Sequence, residues 1–282
     1  MSVLYVVGTP IGNLGDLSPR ALETLSKASF IAAEDTRVTR SLLTHFGVQK
    51  PLVSYYDRQK NRRARAESIA DRIAAGESCA LVTDAGMPAV SDPGEELVHI
   101  CAERDISVEV VPGPSAAITA LAGSGLPSAR FTFEGFLPSA RKDRRAALAS
   151  LAEERRTMIF YEAPHRLREA LADLAESFGT ERRCALCREL TKLHEEFLRT
   201  TLGEAAALYQ EREPRGEYVL VIEGAPERKL PAAGTAEAAA LARSLMEEEG
   251  LSPAAAAKQA ARETGAARSA VYRALVTGEK EP

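Results

Sequence analysis

The sequence predicts an α/β fold with two α/β domains, followed by a small all-α, helix-turn-helix-like extension. Up to about residue 226, short apolar runs rich in Val, Ile and Phe alternate with amphipathic stretches. This alternation is typical of strands and helices in a largely parallel sheet. Residues 230–282 differ, because 17 of their 53 positions are alanine. A length of 282 residues also suits two domains of ordinary size.

The first half of the chain contains four apolar runs of strand length. They end at small or polar loops and span residues 3–7, 30–33, 79–83 and 108–111. Helical patterns lie between them: one begins at the N-cap Ser18 with Pro19 behind it, and others cover 38–46, 60–75 and 94–104. We assign residues 1–112 to a first α/β domain, which ends at Pro112.

Five further strands are predicted in the second half, over residues 131–136, 157–161, 183–187, 197–201 and 218–222. Most are separated by helical patterns, over residues 141–152, 164–178 and 203–211. The last two strands are close enough in the chain to allow some antiparallel pairing. Residues 113–226 therefore form a second α/β domain.

The C-terminal extension, residues 230–282, is predicted to contain three helices. The first covers residues 235–249, the second runs from Pro253 to a stop at Gly265, and the third covers 267–276. Short helices around a glycine turn are compatible with a helix-turn-helix. The spacing alone favours a plain alanine-rich helical hairpin.

The charge balance limits the class of partner. The chain has 36 Lys and Arg against 40 Asp and Glu, a net charge of -4, so any surface for nucleic acid must be local. The longest uncharged run, 110–129, is interrupted by three prolines and cannot form a membrane-spanning helix. The N-terminal segment lacks the basic start of a secretion signal, and four cysteines fit a reducing compartment, so we expect a cytoplasmic protein.

Three loops of small residues follow predicted strands, over residues 8–16, 83–94 and 111–117. Ligands of parallel α/β sheets bind at the carboxyl ends of strands, where small residues allow close approach to the backbone. Each loop also has a plain structural interpretation. The first can be an ordinary turn, Asp84 can cap its own loop, and Ser115 can be a helix N-cap.

Six motifs occur together in a fixed order: Gly8-Thr-Pro-Ile-Gly-Asn13, Ala33-Glu-Asp-Thr-Arg37, Thr83-Asp-Ala-Gly-Met-Pro-Ala-Val-Ser-Asp-Pro-Gly94, Val111-Pro-Gly-Pro-Ser-Ala116, Tyr161-Glu-Ala-Pro-His-Arg166 and Arg188-Glu-Leu-Thr-Lys-Leu-His-Glu195. In this order they resemble the tetrapyrrole-methylase superfamily of S-adenosylmethionine (SAM) methyltransferases, and within it the branch that methylates small-subunit ribosomal RNA. The resemblance covers residues 3–224, and the helical extension resembles that of the same branch.

The resemblance implies a SAM site in the cleft between the two domains. It implies 2′-O-methylation of a cytidine in the decoding region of 16S rRNA, with the small ribosomal subunit as partner, and a homodimer. Carried onto this chain, the cofactor-binding residues would be Pro10, Ile11, Asp84, Ala85, Gly86, Met87, Ser115, Ala116, Tyr161, Leu190 and Glu217.

A ribose hydroxyl needs help in losing its proton, so a base or a charged group is expected near it. Four residues in the motifs are candidates for this catalytic role, and the sequence does not rank them: Glu34, Asp35, His165 and Lys192. Each has a structural alternative. The acidic pair can cap the following helix, His165 can be a packed or capping histidine, and Lys192 can lie on a solvated surface.

Clusters of basic residues on an acidic chain favour RNA as the partner. The predicted RNA-binding residues are Arg37, Arg58, Lys60, Arg62, Arg63, Arg65, Arg141, Lys142, Arg144, Arg145 and Arg166. Solvated helix faces are the alternative for the two main clusters.

No metal site is expected, because Cys184 and Cys187 are the only pair with ligand spacing and lie in an apolar strand. Two other functions stay open, a tetrapyrrole C-methyltransferase and a non-catalytic RNA-binding assembly factor.

Overall fold

A computed structural model describes residues 2–55, 62–226 and 234–277 of the chain. The chain divides into two compact units, Met1–Ala225 and Pro226–Pro282. The first unit is built on two five-stranded sheets, and the second consists of helices.

The first sheet is entirely parallel. In chain order its strands are β1 (Val3–Val7), β2 (Phe30–Ala33), β3 (Leu52–Ser54), β4 (Ser78–Val82) and β5 (Ser107–Val111). Their order across the sheet is β3-β2-β4-β1-β5. All five carboxyl ends therefore lie along one edge, where a ligand can approach the following loops.

Helices cover both faces of the first sheet. They are α1 (Pro19–Lys27), α2 (Thr36–His45), α3 (Arg62–Ala74) and α4 (Glu95–Glu103). On one face Leu25 and Leu43, from α1 and α2, pack with Ile31. On the other, side chains of α3 and α4 pack with Phe30 and Leu81. The strands are apolar on both sides because both sides are covered.

The second sheet is mixed. Its strands are β6 (Phe131–Phe136), β7 (Thr157–Glu162), β8 (Arg183–Arg188), β9 (Glu196–Thr201) and β10 (Tyr218–Ile222), in the order β6-β7-β10-β8-β9. Only the β6–β7 pair is parallel. Helices α6 (Arg141–Ser150), α7 (Leu167–Phe178) and α8 (Leu202–Glu211) pack on one face, and α5 (Ala116–Ser124) packs on the other. Ile11, from the loop after β1, joins the core around α5 and so connects the two sheets.

The C-terminal unit contains α9 (Thr235–Glu249), α10 (Pro253–Thr264) and α11 (Arg268–Thr277). Gly250 and Gly265 end the first two helices in left-handed conformations, which glycine adopts without strain. Its core is made mostly of alanines, with Leu245 and Val271 among them. Each helix contacts the other two, so the unit is a three-helix cluster rather than the hairpin that spacing favoured.

The strands differ from the sequence-based interpretation in two ways. The sequence pattern does not indicate β3, which has only three residues, all half-buried. The antiparallel pairing that the spacing allowed between β9 and β10 does not occur, because β8 lies between them and pairs antiparallel with both. The limits of the two α/β domains stay a prediction, although the strands of the two sheets lie on either side of residue 112.

A buried ion pair joins α6 to α7. Arg144, 1% exposed, donates from Nε to Asp173 Oδ2 at 2.8 Å and from Nη2 to Glu169 at 3.1 Å. Arg145 donates to the other oxygen of Asp173 at 3.0 Å. Burial opposes the charge of Asp173, but the hydrogen bonds from Arg144 and Arg145 lower its pKa overall. The assignment of Arg144 to RNA is therefore wrong, because its guanidinium is enclosed and occupied by carboxylates.

We predict that Asp173→Ala destabilises the protein by about 3 kcal/mol, because it leaves the Arg144 charge buried without its main partner. Chemical denaturation measures this loss. The control Glu153→Ala removes an exposed carboxylate that forms no hydrogen bond or ion pair in the described chain and acts only at longer range on Arg182, so it should change stability by less than about 0.5 kcal/mol. Replacing the pair by Arg144→Met and Asp173→Leu should recover part of the loss. Equal stability of Asp173→Ala and the native protein would contradict this account of the pair.

Candidate functional site

A cavity of about 470 Å³ opens where loops from the two sheets meet; we call it the cleft cavity. The first sheet contributes Ile11, after β1, and residues 85–87 and 90–92, after β4. The second contributes residues around Tyr161, Leu190 and Glu217. The start of α5 adds Ser115 and Ala116. A volume of this size is ordinary for a site that takes a small organic ligand.

Backbone pairing fixes the first-sheet side of this cavity. Thr9 N–H donates to Gly86 O at 2.9 Å, and Gly86 N–H donates to Thr9 O at 3.2 Å. The buried Thr9 hydroxyl also donates to Thr83 O at 3.2 Å. These bonds attach the loop after β4 to the loop after β1, so neither moves independently.

Gly8 and Gly113 pack backbone against backbone at the ends of β1 and β5. A Cβ atom on Gly8 would lie 2.6 Å from Gly113 Cα, and one on Gly113 would lie 2.7 Å from Gly8 Cα. No larger residue fits without moving a main chain. This contact brings the third loop, which leads into α5, beside the first.

Aromatic side chains form the second-sheet side of the cavity. The ring of Tyr161 meets Phe133 and Phe136 edge to face, with centroids 5.0 and 5.5 Å apart. Its hydroxyl accepts a hydrogen bond from Ala117 N–H at 3.2 Å, which ties β7 to the first turn of α5. Burial raises the pKa of Tyr161, so it stays a neutral phenol at physiological pH.

A lysine held between two carboxylates lies on the rim. Lys192 Nζ donates to Glu189 at 2.9 Å and to Glu217 at 2.8 Å. Burial opposes the lysine charge, yet the hydrogen bonds to the two glutamates raise the pKa of Lys192 overall. Lys192 is therefore a fixed positive charge and not a proton acceptor.

Two further cavities adjoin the same loops. The α2 cavity, about 430 Å³, is lined by Val38 and His45 of α2, among others, and by Pro10 and Asp84. The α4 cavity, about 470 Å³, is lined by Tyr55, Arg62, Ala66 and residues 89–97 with the exception of Val90. Of the residues predicted to bind a cofactor, Pro10 and Asp84 line the α2 cavity and the others line the cleft cavity.

The acidic pair Glu34 and Asp35 lies beside the loop after β4 but lines neither the cleft cavity nor the α2 cavity. Glu34 accepts from Asp84 N–H at 3.3 Å, and Asp84 in turn accepts from Asp35 N–H at 3.1 Å. Asp35 is the N-cap of α2, and hydrogen bonds from Arg37 lower its pKa to about 2. The capping alternative thus describes Asp35, and its tightly held carboxylate is a poor proton acceptor.

Of the other catalytic candidates, His165 lines the cleft cavity from an exposed turn, together with Lys192. Two acidic residues that the sequence analysis did not select also line this cavity, Asp92 and Glu162. Glu162 is 2% exposed, and its Oε2 has no hydrogen-bond partner. Asp92 belongs to the motif 83–94, and its position just before Pro93 and the start of α4 was the signal that could have identified it.

The family model of the tetrapyrrole (corrin/porphyrin) methylases matches residues 3–206, which is most of the chain and includes both sheets up to β9. The chain belongs to this family.

Curated relatives match nearly the full length. The protein named ribosomal RNA small subunit methyltransferase I from Synechocystis sp. is 48% identical over 272 residues, covering 96% of either chain. The protein of the same name from Xylella fastidiosa strain Temecula1 is 49% identical over 271 residues, covering 95% of this chain and 97% of its own.

Among solved structures, the X-ray structure of the cobalamin biosynthetic enzyme cobalt precorrin-4 methyltransferase has the same fold. Its TM-score is 0.59 at 16% identity, and the match covers 79% of this chain and 95% of that one. At this identity the likeness concerns the fold alone. It confirms the predicted two-sheet α/β architecture.

The basic residues predicted to contact RNA differ in availability. Arg37, Arg62, Arg63, Arg141 and Lys142 are exposed, whereas Arg58 and Lys60 lie outside the described residues. Arg166 donates to the carbonyls of Leu137 and Pro138 and lies 3.5 Å from Glu162, so its role is structural. Arg65 is half-buried and donates to Ser54 O, and Arg145 is paired as described for Asp173. The structure thus contradicts Arg166 as a phosphate contact and leaves less of Arg65 and Arg145 free for RNA.

The cysteine pair is structural in the described chain. Cys184 and Cys187 point to opposite faces of β8 and pack in different cores, so they cannot share a metal ion. Burial raises the pKa of both thiols to about 12. Across residues 2–55, 62–226 and 234–277, no group of His, Cys, Asp or Glu is arranged to hold a metal ion. In the same residues no helix has the length and apolarity needed to cross a membrane.

Proposed function

We propose that this chain is a SAM-dependent methyltransferase that methylates the 2′-hydroxyl of a cytidine in the decoding region of 16S rRNA. The single observation that carries the proposal is the cleft cavity, whose lining brings the family's motif loops to one place. Two relatives of nearly the same length, each named a ribosomal RNA small subunit methyltransferase, support the substrate class.

The residues of the cleft cavity fit SAM. Gly86 has a φ of +86°, and a Cβ there would contact Ile11 at 3.4 Å, so only glycine leaves this surface open without strain. Apolar side chains such as Met87, Leu190 and Val219 suit an adenosine moiety. The carboxylates of Asp92, Glu162 and Glu217 suit a cation, and the orphaned oxygen of Glu162 can accept a hydrogen bond.

SAM supplies an electrophilic methyl group on a sulfonium when it is bound. The protein holds the two reactants close and excludes water, which are the main contributions available for such a transfer. Tyr161 and its aromatic neighbours close one side, and Lys192 holds Glu217 on the rim. The proposed cofactor contacts remain Pro10, Ile11, Asp84, Ala85, Gly86, Met87, Ser115, Ala116, Tyr161, Leu190 and Glu217.

The proposed RNA surface consists of the exposed cations at the starts of two helices. Arg62 and Arg63 begin α3, and Arg141 and Lys142 begin α6. In the C-terminal unit, Lys258, Arg262 and Arg268 are exposed. We propose that this unit helps to dock the ribosomal substrate.

A tetrapyrrole C-methyltransferase is the less favoured alternative, since the likeness to such enzymes lies in the fold while the closer sequence similarity is to rRNA methyltransferases.

We further propose a homodimer. Exposed apolar side chains support it, because Val110 on the edge strand β5 is 56% exposed and Ile118 on α5 is 50% exposed. A ribosomal substrate also favours a cytoplasmic location of the protein.

The proposed function predicts transfer of tritium from labelled SAM to 30S particles from cells that lack the modification. The label should be found in a 2′-O-methylated cytidine. The RNA chain should resist alkaline cleavage at this nucleotide, because its 2′-hydroxyl is blocked. Free 16S rRNA and a porphyrinogen serve as parallel acceptors. Transfer to the porphyrinogen alone would favour the alternative, and SAM binding without transfer to any acceptor would contradict the proposed function.

Changing Arg62 and Arg63 to Ser should weaken binding to 30S particles and leave SAM affinity intact. If each cation contacts one phosphate, the salt dependence should flatten by roughly 1.5 units of slope. Filter binding at several salt concentrations measures the slope. The control Arg215→Ser removes another exposed arginine with an acidic neighbour, Glu213, and should leave the slope unchanged. Equal slopes for the double variant and the native protein would mean that Arg62 and Arg63 lie on a solvated face of α3 and do not contact RNA.

A further inference from the structure

Asp92 occupies the boundary between two cavities. Ser91 and Asp92 belong to the lining of both the cleft cavity and the α4 cavity. A group bound at this boundary is therefore within reach of a ligand in either space. When a group is transferred from one ligand to another, the acceptor atom must lie where the two ligands meet, and the boundary between the cavities is such a place.

The carboxylate of Asp92 has no hydrogen-bond or ion-pair partner in the part of the chain that the structure describes. It is half-buried, and two other carboxylates, Glu34 and Asp84, are close enough to act on its charge. A half-buried carboxylate at a cavity wall, without a protein partner among the described residues, is available to a ligand, and its raised pKa is of the kind that is frequent at functional sites.

Other charged and titratable groups face Asp92 from several elements. Tyr55 and Arg62 also line the α4 cavity, and Glu95 and Glu96 begin α4, just after the loop that carries Asp92. Across the cleft cavity lie Tyr161, Glu162, His165, Lys192 and Glu217. Of the cations, Lys192 is engaged by Glu189 and Glu217.

The loop around Asp92 is rigidly held. The buried Tyr55 hydroxyl donates to Pro93 O at 2.8 Å, and burial raises the pKa of Tyr55, which keeps this donor protonated. Ala89 and Ser91 adopt positive φ angles of 67° and 58°, which are rare for such residues. Strained backbone of this kind persists where its surroundings hold it, and it is frequent at active sites.

The other candidates for a proton acceptor are less suitable. Asp35 is held by Arg37, Glu34 accepts from the Asp84 backbone, and Lys192 carries its proton. His165 lines the cleft cavity but is exposed to water on its turn. Among these candidates Asp92 combines partial burial, a place beside both cavities and a carboxylate without a partner in the described residues.

We propose that Asp92 is the general base of the reaction and accepts the proton of the ribose 2′-hydroxyl. This assignment rests on the proposed function. The bond from the ribose oxygen to the methyl carbon forms as the carbon–sulfur bond breaks, and the electron pair of the broken bond stays on sulfur. The hydroxyl proton passes to Asp92 and then to water, which leaves the carboxylate ready for the next turnover.

The acidity of Asp92 suits this role. Burial first, and then the charges of Glu34 and Asp84, raise its pKa to about 6. A base with a pKa just below the working pH is deprotonated and still has affinity for a proton. Because the pKa in the folded state is raised, ionisation of Asp92 lowers stability as the pH rises toward and through 6. Its removal should therefore not unfold the protein at neutral pH.

The test measures initial rates of methyl transfer to 30S particles across about pH 5.5 to 8.5, with native protein, Asp92→Asn and His165→Asn. Asp92→Asn should lower kcat by about 100-fold or more. It should not lower the thermal midpoint at pH 7.5, and any weakening of SAM binding through the lost negative charge should be much smaller than the loss in kcat. The control Asp105→Asn, an exposed aspartate with a φ of 54°, should behave as the native protein.

The pH profiles of the two variants separate Asp92 from His165, the histidine in the lining of the cleft cavity. In the native protein the rate should rise through about pH 6 and then level off, and this limb should persist in His165→Asn. The assignment would be overturned if the rise in rate with pH disappeared in His165→Asn. It would also be overturned if Asp92→Asn had the kcat of the native protein. An Asp92→Asn variant with native kcat and much weaker SAM binding would make Asp92 a cofactor ligand instead. Native protein that binds SAM but methylates no RNA would overturn the proposed function itself.

Discussion

Contact between the backbones of Gly8 and Gly113 determines how the strand-end loops of this protein assemble. Since no side chain fits between the ends of β1 and β5, the loop after β1 lies against the loop that leads into α5. The paired hydrogen bonds between Thr9 and Gly86 add the loop after β4. Three loops from distant parts of the sequence thus become one surface. Ile11 then packs into the core around α5 and fixes this surface against the second sheet.

The electrostatic character of the site follows from that assembly. The loops bring Glu34, Asp84 and Asp92 close together, and partial burial raises the pKa of all three. On the opposite side, Lys192 forms ion pairs with both Glu189 and Glu217, so this rim is fixed rather than reactive. Negative charge beside an apolar cavity suits a cationic methyl donor. The exposed arginines proposed to contact RNA begin α3 and α6, and one of them, Arg62, also lines the α4 cavity.

Much of the fold could be predicted from the sequence, because apolar runs, caps and glycine stops are local signals. Ser18 caps α1, and Gly250 and Gly265 end their helices as the pattern indicated. The pairing of β8 between β9 and β10 could not be predicted, since it depends on contacts between distant segments. The same limit applies to the site. Local sequence could not reveal that Arg144 is enclosed beside Asp173, or that Asp92 lacks a partner among the described residues, because both are properties of packing.

A crystal structure of the protein with S-adenosylhomocysteine tests the central claim most directly, namely that the loops joined at Gly8, Gly86 and Gly113 form the site of the methyl donor. The account predicts that the ligand lies in the cleft cavity, in contact with Gly86 and Tyr161, with its sulfur on the side of Asp92. A ligand bound in the α2 cavity or the α4 cavity, with the cleft cavity empty, would contradict it.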